Sequence, residues 1–317
     1  MKIIQKTLFF IAVTATVLVL LVPVLTIKNF KAYDSSVTVN EQGRLISSDS
    51  DSITLLQITD IQTKDLIECG MAYPTVKYLV EKHRPDMIVL TGDNISNGAT
   101  TEVLSAMIDL FDSFELPWAL VLGNHDRDSD VPLDKMCKAL EKSEYCIFNT
   151  GYLDDRYGNY YYNVELNGET VRSLIFMDSE RSGFTEKQVE WYRNTIRSIA
   201  DSEGKVVPSI AFFHIPIQET VDANELYAVD PSVGSGETRE EICTQDENSF
   251  FEAVKELGST DGLFYGHDHV NNSIVEYEGV LFCYGMKSAM TVTYDRDMIG
   301  GNLITITADG FTVERVK

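Results

Sequence analysis

The chain holds 317 residues, 44% of them hydrophobic and 24% charged, with a formal net charge of −23. That length fits one large α/β domain with a substantial core, or less readily two small ones. The acidic balance argues against nucleic acid as a partner, because such a field repels polyphosphate except where metals or local lysines reverse it.

Thr7 to Ile27 carries no charge and is almost wholly apolar, between Lys2 and Lys6 on one side and Lys28 and Lys31 on the other. Such a run is long enough to span a bilayer as a helix. No Ala-x-Ala precedes the stretch VPVLTIKNF, so residues 1–31 are expected to be an uncleaved signal anchor, with a cleaved signal peptide as the alternative. A domain tethered to the membrane or secreted, and held outside the cytoplasm, follows from that expectation. Residues 32–52 are polar and read as a tether, with a short strand near Ser36 to Asn40.

Residues 53–317 form the expected folded domain. ITLLQIT (53–59) is a short apolar run ending at Asp60, and reads as a buried strand. Tyr73 to His83 is expected to be helical, with Pro74 in its first turn. DMIVLT (86–91) is a second buried strand, Thr100 to Ser113 an amphipathic helix, and Trp118 to Leu122 a third strand, followed by a helix over Leu133 to Ser143. This alternation points to parallel strands covered by helices, with ligands beyond the carboxyl ends of the strands.

Downstream, Tyr160 to Leu166 and Thr170 to Asp178 read as a hairpin turned by Asn167-Gly168. Thr185 with Gln188 three residues on is a capping-box signature for a helix to Ser202. Ser209 to Phe213 is a strand, Ser249 to Leu257 a helix, and Gly262 to Tyr265 a strand. Four short strands close the chain. The acidic stretch Ile217 to Asn248 is expected to be a long loop that either caps a site or is a surface excursion.

Polar clusters stand at the ends of the apolar runs: Asp60-Ile61-Gln62, Gly92-Asp93-Asn94, Gly123-Asn124-His125-Asp126, His214, and Gly266-His267-Asp268-His269. Four of the five histidines lie in them; His83, in EKHRP, reads as a surface residue. Imidazoles, carboxylates and amide oxygens gathered at strand ends are what a pair of divalent cations needs, with one carboxylate bridging them to offset their repulsion. The five cysteines are scattered, with no CxxC pair. Cys137 and Cys146 could bridge, but spacing does not decide between a disulfide and buried thiols.

Taken in order, these clusters resemble the calcineurin-like metallophosphoesterase superfamily. RPDMIVLTGDNI, PWALVLGNHD, FFHIP and LFYGHDHVN are similar to a branch that includes plant proteins called probable inactive purple acid phosphatases and a yeast cell-cycle phosphatase. The resemblance implies a four-layer α/β/β/α sandwich with two mixed β-sheets. It implies that Asp60, Gln62 and His269 hold a first metal, that Asp93 bridges, and that Asn124, His214 and His267 hold a second. His125 then faces the phosphate and acts on the leaving oxygen, with Asp126 orienting its ring. Two divalent ions (manganese, iron, magnesium or zinc) are the implied cofactors, and attack by a hydroxide shared between them is the implied route to phosphoester hydrolysis. A phosphomonoester is the expected substrate. A phosphodiesterase or nuclease would use the same site, and a membrane-tethered, non-catalytic binding module is the alternative. Gln62 departs from the pattern, which has histidine there. Ser96 stands where purple acid phosphatases carry their iron-binding tyrosine, so no purple centre is expected. Arg127 reads either as a phosphate contact or as an ordinary surface arginine, and Tyr160 to Tyr162 as strand packing.

Overall fold

Short, wholly apolar runs are stable only if both faces are covered, and the chain covers them by stacking two sheets and flanking each with helices. A computed structural model describes Tyr33, Ser35 and residues 37–317. The expected anchor, Thr7 to Ile27, lies outside the described residues. Among the described residues no helix is long and apolar enough to cross a membrane.

The strands, in chain order, are β1 (Val37–Asn40), β2 (Leu45–Ser48), β3 (Ser52–Ile58), β4 (Met87–Thr91), β5 (Trp118–Val121), β6 (Tyr160–Leu166) and β7 (Glu169–Phe176). They continue with β8 (Ser209–Phe212), β9 (Gly234–Ser235), β10 (Thr260–Tyr265), β11 (Ile274–Tyr277), β12 (Val280–Tyr284), β13 (Gly301–Thr307) and β14 (Gly310–Val316). One sheet has the order β14-β13-β3-β4-β5, the other β1-β2-β6-β7-β8-β10-β12-β11-β9. Both are mixed: β3, β4 and β5 run parallel, as do β7, β8, β10 and β12, whereas β13 is antiparallel to β3 and β6 to β7.

The helices are α1 (Leu66–His83), α2 (Thr101–Asp112), α3 (Asn124–Arg127), α4 (Leu133–Leu140), α5 (Glu186–Glu203), α6 (Glu219–Val229) and α7 (Phe250–Leu257). Period-two alternation splits the larger sheet between two cores. Leu174, Phe176, Ile210, Phe212 and Phe264 face the smaller sheet, in one cluster with β3, β4, α1 and α2. Ile175, Ala211, Phe213, Leu263 and Tyr265 face the other way, onto α5 and α7. The layers are therefore helix, sheet, sheet, helix, as expected. Gln57 ties the two sheets at the site end, donating to the Tyr265 carbonyl at 3.2 Å and accepting from Asn302 Nδ2 at 2.9 Å.

Three local expectations are corrected. The stretch read as a tether carries β1 and β2, and β2 pairs in parallel with β6. The strand expected near Asn40 is β1, whereas β2 was not expected: Ile46 turns inward and is fully buried, between the less buried Leu45 and Ser47, in a stretch whose composition is mostly polar. Helix α1 begins at Leu66, because the Asp65 side chain accepts from the amides of Ile67 and Glu68. Pro74 is interior and solvent-facing, where a missing amide donor costs least. Finally, the acidic stretch 217–248 is built rather than irregular: it holds α6, a short 3-10 turn at Pro231–Val233, and β9, which pairs with β11.

Candidate metal centre

Asp60, Asp93, His214 and His267 each stand two residues beyond the end of a strand, namely β3, β4, β8 and β10. The first two strands belong to the smaller sheet and the last two to the larger. Because the parallel strands of both sheets end at the same side, their tips meet there. Asp60, Gln62, Asp93 and His267 all take positive φ, at 55°, 47°, 51° and 80°. Such backbone is uncommon outside glycine, and here it turns four side chains sharply at the strand ends.

The meeting is tight. Single donor atoms of Asp93, His214 and His267 lie within 4.8 Å of one another. His214 Nε2 is 3.3 Å from Asp93 Oδ1 and 3.3 Å from His267 Nδ1. The other nitrogen of His214 faces the Thr91 carbonyl at 2.8 Å, which fixes its ring and frees Nε2 toward the site. Asp93 Oδ1 also accepts from the His125 amide at 2.8 Å. On the other side, Asp60 Oδ2 accepts from the His267 amide at 3.0 Å and from Thr59 Oγ1 at 2.8 Å. His269 Nε2 lies 3.6 Å from Asp60 Oδ1, and its Nδ1 faces the Thr293 carbonyl at 2.9 Å.

Glycines make this approach possible. A Cβ on Gly123 would fall 2.2 Å from Asp93 Oδ1, and one on Gly266 would fall 2.5 Å from Asp60 Oδ2. A Cβ on Gly92 would fall 2.5 Å from His214 Nδ1.

Charge is concentrated and mostly dry. Burial opposes ionisation of Asp93, but His214 and His125 hold it well below the usual carboxylate range. Burial alone would push His214 down; the adjacent Asp93 carries it up to about 10 instead. His267 is pushed down to about 4 by burial and by His214. Burial lowers His269 as well.

Divalent cations fit this chemistry, judged by two orphaned atoms. Asp60 Oδ1 and Asn124 Oδ1 are buried and have no hydrogen-bond partner. A buried oxygen normally has one, and an ion is among the standard explanations when it does not. Asp93, Asn124, His214 and His267 can together offer carboxylate, amide oxygen and imidazole to one cation.

Two sequence expectations fail in the geometry. Asp126 does not orient His125. Its carboxylate accepts from the amides of Asn94, Ile95 and Gly123 and from Asn94 Nδ2, at 2.8–3.0 Å, so it braces two loops. Burial and Asp93 push it up to about 6. Adjacent residues of a helical turn point apart, whereas residues three apart share a face, and it is Asp128 that stands beside the ring: its Oδ2 lies 3.3 Å from His125 Nδ1, with no hydrogen bond formed. Gln62 does not offer oxygen to the site. Its Nε2 donates to Asp93 Oδ2 at 2.8 Å, and its Oε1 lies 3.4 Å from Lys287 Nζ.

Lys287 and Asp128 escaped the sequence reading. Lys287 is 1% exposed, and its ammonium donates to the Asp60 carbonyl at 2.7 Å. Burial pushes it down to about 8, against the pull of Asp60 and Asp93. Arg127, read as a phosphate contact or a surface residue, is paired with buried Asp178. Tyr160 packs a strand as expected, stacked on Phe176 at 4.5 Å. All five cysteines are free, and only Cys243 is exposed.

The acidic stretch meets the site's supports. Amides of Arg239 and Glu240 donate to Asn271 Oδ1 at 2.9 and 3.1 Å, and the Gln245 side chain donates to the Ile215 carbonyl at 2.9 Å. It thus clamps the loops that carry His214, His267 and His269.

Residues 53–271 match the family pattern described as calcineurin-like phosphoesterase. Probable inactive purple acid phosphatase 28 of Arabidopsis thaliana is 28% identical over 287 residues, covering 75% of this chain and 70% of that protein. Phosphatase DCR2 of Saccharomyces cerevisiae is 24% identical over 283 residues, covering 76% of this chain and 49% of that one, so the chain spans about half of the yeast protein. Among solved structures, purple acid phosphatase PPD1 from yellow lupin seeds superposes with a TM-score of 0.47 at 13% identity, over 86% of this chain and 53% of the lupin chain.

Proposed function

The chain belongs to the calcineurin-like phosphoesterase family, and on that premise we propose that it hydrolyses a small phosphomonoester at a metal centre built around Asp93. The observation that supports this most is the convergence of Asp93, His214 and His267 from strands of two different sheets to within 4.8 Å. Packing alone gives no reason to gather a carboxylate and two imidazoles there.

Divalent ions at such a site supply Lewis acidity toward the phosphoryl oxygens and a nucleophile at neutral pH. The chain's own residues do the rest. Asp93 Oδ1, Asn124 Oδ1, His214 and His267 would hold one ion, and Asp60 and His269 would border a second. His125 follows Asn124 with its side chain 40% exposed, and is the group placed to donate a proton to the departing oxygen. Asp128 Oδ2 stands 3.3 Å from His125 Nδ1 without a hydrogen bond between them, and is the carboxylate that would pair with that nitrogen on a protonated ring, leaving Nε2 for the transfer. His214 first, then His125 and its backbone amide, keep Asp93 ionised against the cost of burial.

A non-catalytic binding module is the second reading, favoured by the engagement of the Gln62 oxygen with Lys287 and by the word inactive in the name of the plant relative. Elemental analysis and a phosphatase screen with manganese and chelator separate the two. The enzyme reading requires bound transition metal and turnover abolished by Asp93→Ala. A metal-free, inert protein that stays so in excess manganese supports the module. We further place the domain outside the cytoplasm, tethered through Thr7 to Ile27; protease digestion of it on intact cells would bear this out, and full protection would overturn it.

A further inference from the structure

We propose that Lys287 is a fixed cation standing in for part of the first metal position, so that this chain holds one divalent ion firmly, at Asp93, Asn124, His214 and His267, rather than a matched pair. The proposal rests on the metal-centre reading above.

Lys287 is not a wandering surface side chain. It lies three residues beyond β12, and its backbone pairs with Thr59, immediately before Asp60, as an isolated parallel bridge. Ser288, next in the chain, donates its amide to the Thr59 carbonyl at 2.9 Å and accepts the Thr59 amide on its hydroxyl at 3.0 Å. The Lys287 carbonyl accepts from the Gly300 amide at 3.0 Å. The ammonium is therefore carried to Asp60 and Gln62 on a locked backbone.

The orientation of Gln62 follows from its neighbours. An ammonium can only donate and a carboxylate can only accept. With Lys287 on one side and Asp93 Oδ2 on the other, the amide must turn its oxygen to the lysine and its nitrogen to the aspartate; the flipped amide would set donor against donor and acceptor against acceptor. The one atom of Gln62 able to ligate a cation is thus engaged by the ammonium. Asp93 Oδ2, the oxygen left to bridge toward the first position, is engaged by the amide nitrogen at 2.8 Å.

The two positions are left unequal. One retains Asp93 Oδ1, the orphaned Asn124 Oδ1 and two imidazoles. The other retains the orphaned Asp60 Oδ1 and His269 Nε2, 3.6 Å apart. Two protein donors beside a buried ammonium make a weak cation site, whereas four donors make a strong one, since the proton that His214 carries can leave as the ion binds. Histidine in place of Gln62 and a neutral residue in place of Lys287 would restore the donor set and remove the competing charge.

Equilibrium dialysis of the metal-stripped full chain against manganese(II), with elemental counting, tests the assignment. The wild-type protein is expected to bind one equivalent at least about 100-fold more tightly than any second, and to show the six-line resonance of an isolated ion at one equivalent. The double variant Gln62→His with Lys287→Met is expected to take two equivalents of similar affinity and to show a spin-coupled pair. Two wild-type equivalents with affinities within about tenfold would overturn the proposal whether or not the double variant folds, as would a folded double variant that remains at one. Binding of no manganese by the wild-type protein would overturn the metal-centre reading itself, and this proposal with it.

Discussion

Asp128 Oδ2 lies 3.3 Å from Nδ1 of His125 and is at the same time held by the guanidinium of Arg181. The arginine, the aspartate and the imidazole thus form a chain that ends in a half-exposed ring beside Asn124. Asp128 makes no hydrogen bond to the ring here, but it stands where it can pair with Nδ1 of a protonated His125 and leave Nε2 to act, which would make it a positioning residue. Asp128→Asn is expected to slow hydrolysis of alkyl phosphates about tenfold or more, and of nitrophenyl phosphate much less, because a good leaving group needs no proton. The measurement is kcat across phenyl and alkyl phosphates of graded leaving-group pKa. A uniform loss across the series would mean that Asp128 serves only the fold.

Metal uptake should release a proton. In the metal-free protein His214 is protonated at neutral pH, since Asp93 carries it up to about 10 from 6.5. A cation needs its free Nε2, so about one proton leaves per ion bound at pH 7, and affinity rises about tenfold per pH unit until His214 is neutral by itself. His267, near 4, contributes none. For the metal-free fold, the His214 pKa is higher folded than unfolded. Its stabilisation is therefore complete below pH 6.5 and is lost as pH climbs toward 10. Calorimetry in buffers of different ionisation enthalpy counts the proton; a count of zero at pH 7 would remove His214 from the ligand set.

Gly266→Ala should damage metal binding more than stability. The new Cβ would sit 2.1 Å from Thr59 Oγ1 and 2.5 Å from Asp60 Oδ2, so Asp60 must move. A fall in manganese affinity of more than about tenfold is expected. Gly258→Ala is the control: its φ is +60° with open space around it, so it should cost only about 1 kcal/mol of backbone strain and leave metal affinity unchanged. Equal affinities for the two variants would refute the close-approach argument.

Thiol counting checks the packing independently. Cys69, Cys137, Cys146 and Cys283 are buried, and burial drives the Cys137 thiol up to about 12. Ellman titration of the native protein should find the single exposed thiol, Cys243, and titration in guanidinium should find all five. Labelling is expected to be slow, because burial and nearby Asp268 raise the Cys243 pKa. Two fewer thiols in guanidinium would reveal a bridge.

The strands and the polar clusters were legible in the sequence for one reason: apolar runs too short for helices end in residues that cannot be buried without a partner. Asp60, Asp93, His214 and His267 come together as that pattern implies. The start of α1 was not legible, because Pro74 gave a louder signal than Asp65. The strand near Asn40 was legible as β1, but Leu45 to Ser48 was hidden by the polar composition around a single buried Ile46. Lys287 was invisible for a deeper reason: 225 residues separate it from Gln62, and nothing in the local stretch MKSAM distinguishes a lysine folded under the sheets from one in water. Asp128 was visible but passed over, since chain adjacency favoured Asp126 where helical geometry favours the residue three along.

Four of the site residues, Asp60, Gln62, Asp93 and His267, hold left-handed backbone angles. Each costs an L-residue about 1 kcal/mol that glycine would not pay. A change such as Asp93→Gly would relieve that angle but would leave His214, the His125 amide and the Gln62 amide nitrogen without their shared acceptor. The strained turns are therefore held in place by the very contacts the side chains make, so ligand and backbone stand or fall together.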